Sequence, residues 1–120
     1  MKNVLTILLI GSLLVSCKTT ETIKSINREN LSKLQLGISK QDVLVLMGTE
    51  TFKTNDGSKY VITNPWKSEW VKGKNNIDYE VIYYYTDTTK ADRAITEDEL
   101  TPIILKDNKV IGWGWSFFHV

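Results

Sequence analysis

Thr101-Pro102-Ile103-Ile104-Leu105-Lys106-Asp107-Asn108-Lys109-Val110-Ile111-Gly112-Trp113-Gly114-Trp115-Ser116-Phe117 is the stretch that decides the fold class. Residues 101–106 read as a strand that begins at Pro102, where a missing N–H does least harm. Asp107-Asn108 fits a two-residue hairpin turn between Lys106 and Lys109. Residues 110–117 are then the antiparallel return strand. Their Ile111, Trp113, Trp115 and Phe117 fall on one face, expected to pack on helices, while Gly112 and Gly114 leave the other face bare for close approach of a helix or loop.

Working backwards, residues 78–86 alternate cleanly: Val81, Tyr83 and Tyr85 on one face, Ile82 and Tyr84 on the other. Residues 87–98 are a polar excursion, and Thr96 to Glu99 has the spacing of a capping box opening one helical turn. Asp87, Asp92, Glu97, Asp98 and Glu99 lack the alternate ligands and central Gly of a calcium loop, so no metal is expected. Residues 64–76 read as a loop or edge segment with two tryptophans. Residues 51–54 and 59–63 read as short strands about the turn Asn55-Asp56-Gly57-Ser58, with Asn64-Pro65 ending the second.

Two helices are expected before the strands. Ile23, Ile26, Asn30, Leu31 and Leu34 lie near helical spacing, which predicts a helix over residues 24–34 broken at Gly37. Ser39 with Asp42 forms a capping-box-like start to a second helix. Its stripe is Val43, Leu44, Leu46 and Met47, and Gly48 is placed to stop it in a left-handed conformation. The expected class is α+β.

At the N-terminus, Met1-Lys2-Asn3 precedes an apolar run from Val4 to Leu14, the layout of an export signal. Eleven residues rising about 1.5 Å each cover roughly half of a ~30 Å hydrocarbon core, too little for an ordinary spanning helix. Leu14-Val15-Ser16-Cys17 resembles the bacterial lipobox, and Cys17 is the only cysteine in the chain. The expectation is a signal peptide over residues 1–16, lipidation of Cys17, a lipidated tether over residues 17–22 and a single domain over residues 23–120. Lys18, following the cysteine, favours the outer membrane by resemblance to enterobacterial sorting.

Cleavage there leaves 104 of the 120 residues, enough for one core. Lys2 is the only charge lost, so 14 basic side chains face 14 acidic ones. That balance argues against a nucleic-acid footprint. The single His, His119, lies next to the C-terminus, which argues against a catalytic set; no enzyme activity and no cofactor are expected. Trp66, Lys67, Glu69 and Trp70 form the candidate partner-binding set, with aromatics interleaved with charges; the alternatives are that one or both tryptophans fold back onto the small core, or that they lie at a membrane–water boundary.

Leu36-Gly37-Ile38-Ser39, Val43, Leu46-Met47-Gly48 and the run from Leu105 to Gly114 together resemble the small outer-membrane lipoproteins of the SmpA/OmlA (BamE-like) group. The chain is more similar still to a lipoprotein family that shares Asp98-Glu99-Leu100-Thr101-Pro102 and a C-terminal Gly112-Trp113-Gly114 strand. Glu50 departs from the pattern, since many relatives carry Pro at or next to that position. The resemblance implies two N-terminal helices packed on a three- to four-stranded antiparallel sheet in two layers. It implies a non-enzymatic accessory in outer-membrane integrity or assembly, lipid-anchored, facing the periplasm and binding an envelope protein. One rival is a periplasmic enzyme inhibitor, β-lactamase- or lysozyme-inhibitor-like, that uses residues 64–76 as a plug. Another is a small-molecule or lipid-binding module using the aromatics Tyr83–Tyr85 and Trp113–Trp115, which needs a cavity.

Overall fold

The central hairpin forms as its sequence demands. In the computed structural model, β6 (Leu100–Lys106) and β7 (Lys109–Trp113) pair antiparallel. Asp107 and Asn108 both hold positive φ, 50° and 66°, in the turn between them. The structure describes residues 15–54, 61–89 and 94–119. The apolar run before residue 15, the turn at residues 55–58, the start of the strand expected at residue 59, and Asp92 lie outside these.

Two other strands complete the large sheet. β5 (Asp78–Tyr85) lies against β6, and β4 (Lys67–Lys72) lies against β5, giving the antiparallel order β4-β5-β6-β7. Residues 64–76 therefore hold an edge strand at their centre, Lys67–Lys72, followed by a 3-10 turn at Lys74–Asn76. At the opposite edge the inter-helix linker closes the sheet. Gly37 N–H donates to the Val110 carbonyl (2.8 Å), Val110 N–H to Ile38 (2.9 Å), and Lys40 N–H to Asn108 (2.9 Å). One edge is thus covered by the chain itself, and among the described strands β4 has a neighbour on one side only.

Both faces of this sheet are buried. Ile82, Tyr84, Ile103, Leu105 and Val110 pack on Leu34, Val43 and Met47 of the helical layer. Val81, Tyr83, Tyr85 and Ile104 face the other way, onto Ile23, Phe52 and Ile62. That division follows the alternation read from residues 81–85.

The helices are α1 (Thr20–Leu31) and α2 (Lys40–Met47). Ser39 caps α2 as expected, its hydroxyl accepting from Asp42 N–H at 3.1 Å. Gly48 stops α2 as expected at a positive φ of 90° that favours glycine, with ψ 158°, and its N–H donates to the Leu44 carbonyl at 2.9 Å. The first helix begins four residues before the expected start, because Thr19 caps it by accepting from Thr22 N–H at 3.1 Å. Residues 17–22, expected as a tether, lie in the strand before this cap, in the cap itself and in the first turn of α1.

That strand, β1 (Val15–Lys18), has no counterpart in the sequence reading. It runs parallel to β2 (Thr51–Thr54), which pairs antiparallel with β3 (Val61–Thr63). The α+β class and the four-stranded antiparallel sheet stand as expected; this mixed three-stranded sheet is additional. The return strand is shorter than the expected residues 110–117. A bulge sets Ile104 opposite Gly112 and Leu105 opposite Val110, with Ile111 as the extra residue. After Trp113, Gly114 at φ 89° redirects the chain into a 3-10 turn, Trp115–His119. Trp113 therefore packs on the helical side, while Trp115 and Phe117 cross to the opposite core, correcting the expectation of one shared face.

A buried amide pair fastens the parts. Asn27 of α1 donates to Asn64 Oδ1 (3.1 Å) and to the Tyr85 carbonyl (2.8 Å), and Asn64 donates back to Asn27 Oδ1 (3.0 Å). Asn27→Ala leaves the Asn64 amide and the Tyr85 carbonyl without these partners in an apolar setting, at a cost of about 2–4 kcal/mol. Glu29→Ala, at an exposed position of the same helix, should change stability by less than about 0.5 kcal/mol. Urea denaturation of both variants measures the contrast, and equal midpoints would deny the amide pair its structural role.

Candidate functional site

β4 carries the residues that the sequence singled out, and the period of the strand divides them. Lys67 and Glu69 stand opposite Tyr83 and Val81, on the face that packs on Ile23, Phe52 and Ile62; Trp70 stands opposite Glu80, on the face that carries Ile82 and Tyr84. Trp70 is 71 % exposed. Glu80 beside it is buried and held by Lys40 at the start of α2, Nζ to Oε2 2.7 Å. Trp66, expected to share a surface patch with Trp70, is half-buried against the Tyr83 core, and its N–H donates to the Tyr83 carbonyl at 2.7 Å. The four-residue set is therefore two arrangements on two faces.

Lys67 and Glu69 both serve Tyr83. The Lys67 ammonium lies 4.7 Å from the centre of the Tyr83 ring and pairs with Glu97 at 2.6 Å. The hydrogen bond to Glu97 raises the Lys67 pKa above the ordinary lysine value. Tyr83 donates its hydroxyl proton to Glu69 Oε1 at 2.6 Å. Burial foremost, then this hydrogen bond, holds the Tyr83 phenol neutral far above the usual tyrosine range; burial does the same for Tyr84, whose hydroxyl donates to the Gly48 carbonyl at 3.1 Å. Glu97 itself belongs to the turn Glu97–Glu99, where the expected capping box forms: Thr96 N–H donates to Glu99 Oε1 at 3.0 Å.

An aromatic array continues from Tyr83 to the C-terminal turn. Ring centres of Tyr83 and Trp115 lie 5.8 Å apart, Trp115 and Phe118 6.0 Å, Phe117 and Phe118 5.7 Å, and Tyr79 and Phe117 6.1 Å. The Trp115 indole donates to the Leu100 carbonyl at 2.9 Å. Two glycines admit these rings. A Cβ on Gly112 would lie 2.6 Å from the Phe117 ring, and one on Gly73 2.3 Å from Tyr79. The bare face expected at Gly112 is thus filled, by a side chain of its own C-terminal turn. Beside the array lies a cavity of about 350 Å³ lined by Val71, Lys72, Gly73, Lys74, Tyr79, Phe117 and Phe118. Sequence reasoning missed Tyr79 and Phe118 as lining residues; the Gly73 and Gly112 spacings were the available signal.

Cys17 is exposed in β1. The register places it in one cross-strand row with Lys53 and Val61, both exposed, on the outward face of the small sheet; Phe52 and Ile62 point inward. No helix among the described residues is long and apolar enough to cross a membrane, and no group of three or more metal-ligating side chains occurs among them.

Two helices, a mixed three-stranded sheet, a four-stranded antiparallel sheet and an aromatic face define a small α+β domain. The chain matches over residues 7–119 the model of a family described as protein of unknown function DUF3192, and belongs to that family. No curated protein and no solved structure matches it at a significant level.

Gly112→Ala should lower stability by about 1–3 kcal/mol through the forced displacement of Phe117. Phe117→Ala combined with it should cost less than the two single changes added, because the clash is then gone; additivity in the denaturation cycle would refute the contact.

Tyr83 and Tyr84 bind their protons more tightly in the folded protein than in the unfolded one. Their contribution is intact below about pH 10 and is lost as pH rises through the raised folded values. Stability measured from pH 8 to 12 should fall above pH 10, and Tyr83→Phe with Tyr84→Phe should flatten that fall.

Proposed function

We propose that the protein is an envelope lipoprotein, anchored through Cys17 in the outer membrane and facing the periplasm. It acts as a non-enzymatic, protein-binding accessory in outer-membrane integrity or assembly, the role implied by its resemblance to the SmpA/OmlA (BamE-like) lipoproteins. The observation that carries this reading is Leu14-Val15-Ser16-Cys17 at the end of an apolar run, with no second cysteine. The exposure of Cys17 in β1 agrees with it, since a lipid acceptor has to stay outside the core. Cleavage before Cys17 removes Val15 and Ser16 from β1 and leaves Cys17 and Lys18 opposite Lys53 and Thr54. The domain then begins two residues after the lipid, at the cap Thr19, and stays close to the bilayer.

The partner surface on this reading is the open edge of β4 with Trp70. An exposed indole beside unpaired ladder groups suits addition of an extended partner segment, with Trp70 as its apolar anchor. The inhibitor alternative draws less support, because the middle of residues 64–76, Lys67–Lys72, lies flat in the sheet instead of projecting as a plug.

Crosslinking and recovery from membranes tests the reading. Native protein should capture outer-membrane assembly proteins, and Trp70→Ala should lose most of that capture while Trp66→Ala, a core change, loses stability instead. Capture unchanged by Trp70→Ala, or recovery of a soluble hydrolase in place of envelope proteins, would overturn it. Cys17→Ser should abolish incorporation of radiolabelled palmitate; retained label rules out the anchor.

A further inference from the structure

We infer that the cavity at the β4–β5 end of the large sheet binds a single-chain anionic amphiphile, a free fatty acid, with its hydrocarbon tail against the rings and its carboxylate at Lys72 and Lys74. The volume of about 350 Å³ lies at the small end of the range for ligand sites, about 300–1,000 Å³. Its wall is hydrocarbon: Val71, the backbone of Gly73, and the rings of Tyr79, Phe117 and Phe118.

The wall is built, because Gly73 and Gly112 are placed where any side chain would collide with Tyr79 and Phe117. Those rings meet edge to face, and Phe118 meets Phe117 in the same way, so three aromatics hold one recess open from two ends of the chain. Phe118 remains 37 % exposed, an apolar surface that the fold itself does not cover.

The polar part of the lining is two lysines and no carboxylate. Lys72 and Lys74 are exposed, which puts their ammonium groups at the rim. Lys72 pairs with Asp78 at 3.2 Å, but both side chains are 61 % exposed, and a pair of that kind is readily exchanged for a bound anion. Two cations beside a hydrocarbon recess match one charged head on one apolar tail. A neutral lipid leaves the lysines unused, and a phosphate ester of a sugar or nucleoside leaves the rings unused. The site does not depend on Cys17 lipidation or on Trp70, so it stands or falls apart from the accessory reading.

Photo-labelling of the full chain in its membranes tests this, with a diazirine-bearing dodecanoate as probe and the matching dodecanol as neutral control. The acid should label peptides spanning residues 71–79 and 115–118, and excess dodecanoate should compete the label away. Lys72→Gln with Lys74→Gln should cut acid labelling at least fivefold and leave alcohol labelling unaffected, since both positions are exposed and the substitutions keep the length of the side chains. Phe118→Ala should reduce both. Equal labelling by acid and alcohol in the unaltered protein, label not competed by dodecanoate, or label confined to segments outside the cavity would each overturn the assignment.

Discussion

Asn27 and Asn64 exchange amide hydrogen bonds where α1, the end of the small sheet and the start of β4 meet, and Asn27 also holds the end of β5 through the Tyr85 carbonyl. Both side chains are buried, so the alternative to this pairing is not a bond to water but no bond. The Asn64 N–H donates to the Glu50 carbonyl, which ties the residue leaving β3 to the residue entering β2. One polar contact thereby fixes the angle at which the three-stranded sheet leaves the four-stranded one. Hydrophobic packing alone is non-directional; directed amides supply the geometry that Ile23, Phe52 and Ile62 then fill.

Where local chemistry decides structure, the chain was legible. Ser39 and Asp42 start a helix by satisfying N–H groups, Asp107 and Asn108 accept positive φ, and residues 81–85 alternate because both faces of their strand find apolar neighbours. Where a partner far along the chain decides, it was not. β1 is a strand because β2 lies beside it, and nothing in Val15-Ser16-Cys17-Lys18 announces a parallel neighbour. Asn27 looks like a solvent-facing helix residue until it is placed four positions after Ile23 and four before Leu31, on the stripe that faces the core. Residues 67–72 are too polar for a strand pattern because only one of their edges is paired.

The candidate site was half legible for the same reason. Trp66 and Trp70 are four residues apart, which on an extended strand still means one face, yet β4 begins only at Lys67 and Trp66 lies before it, free to turn inward. Lys67 and Glu69, read as part of a partner-binding set, hold Tyr83 over its ring and at its hydroxyl. Gly112 and Gly114 promised a close approach, but only Gly112 receives one, from Phe117, brought back by the turn at Gly114.

The parallel pairing of β1 with β2 has a kinetic side. The large sheet is a meander of sequence neighbours whose longest connection, residues 86–99, is still shorter than the path from β1 to β2, so each closure sacrifices less chain entropy. β1 reaches β2 only across both helices, and it is held by that one neighbour. It is therefore the last strand to be captured as the chain folds and the first to let go, opening at a lower free energy than the meander. During synthesis the N-terminal segment emerges long before β2 exists to hold it. The finished domain takes hold of β1 only afterwards.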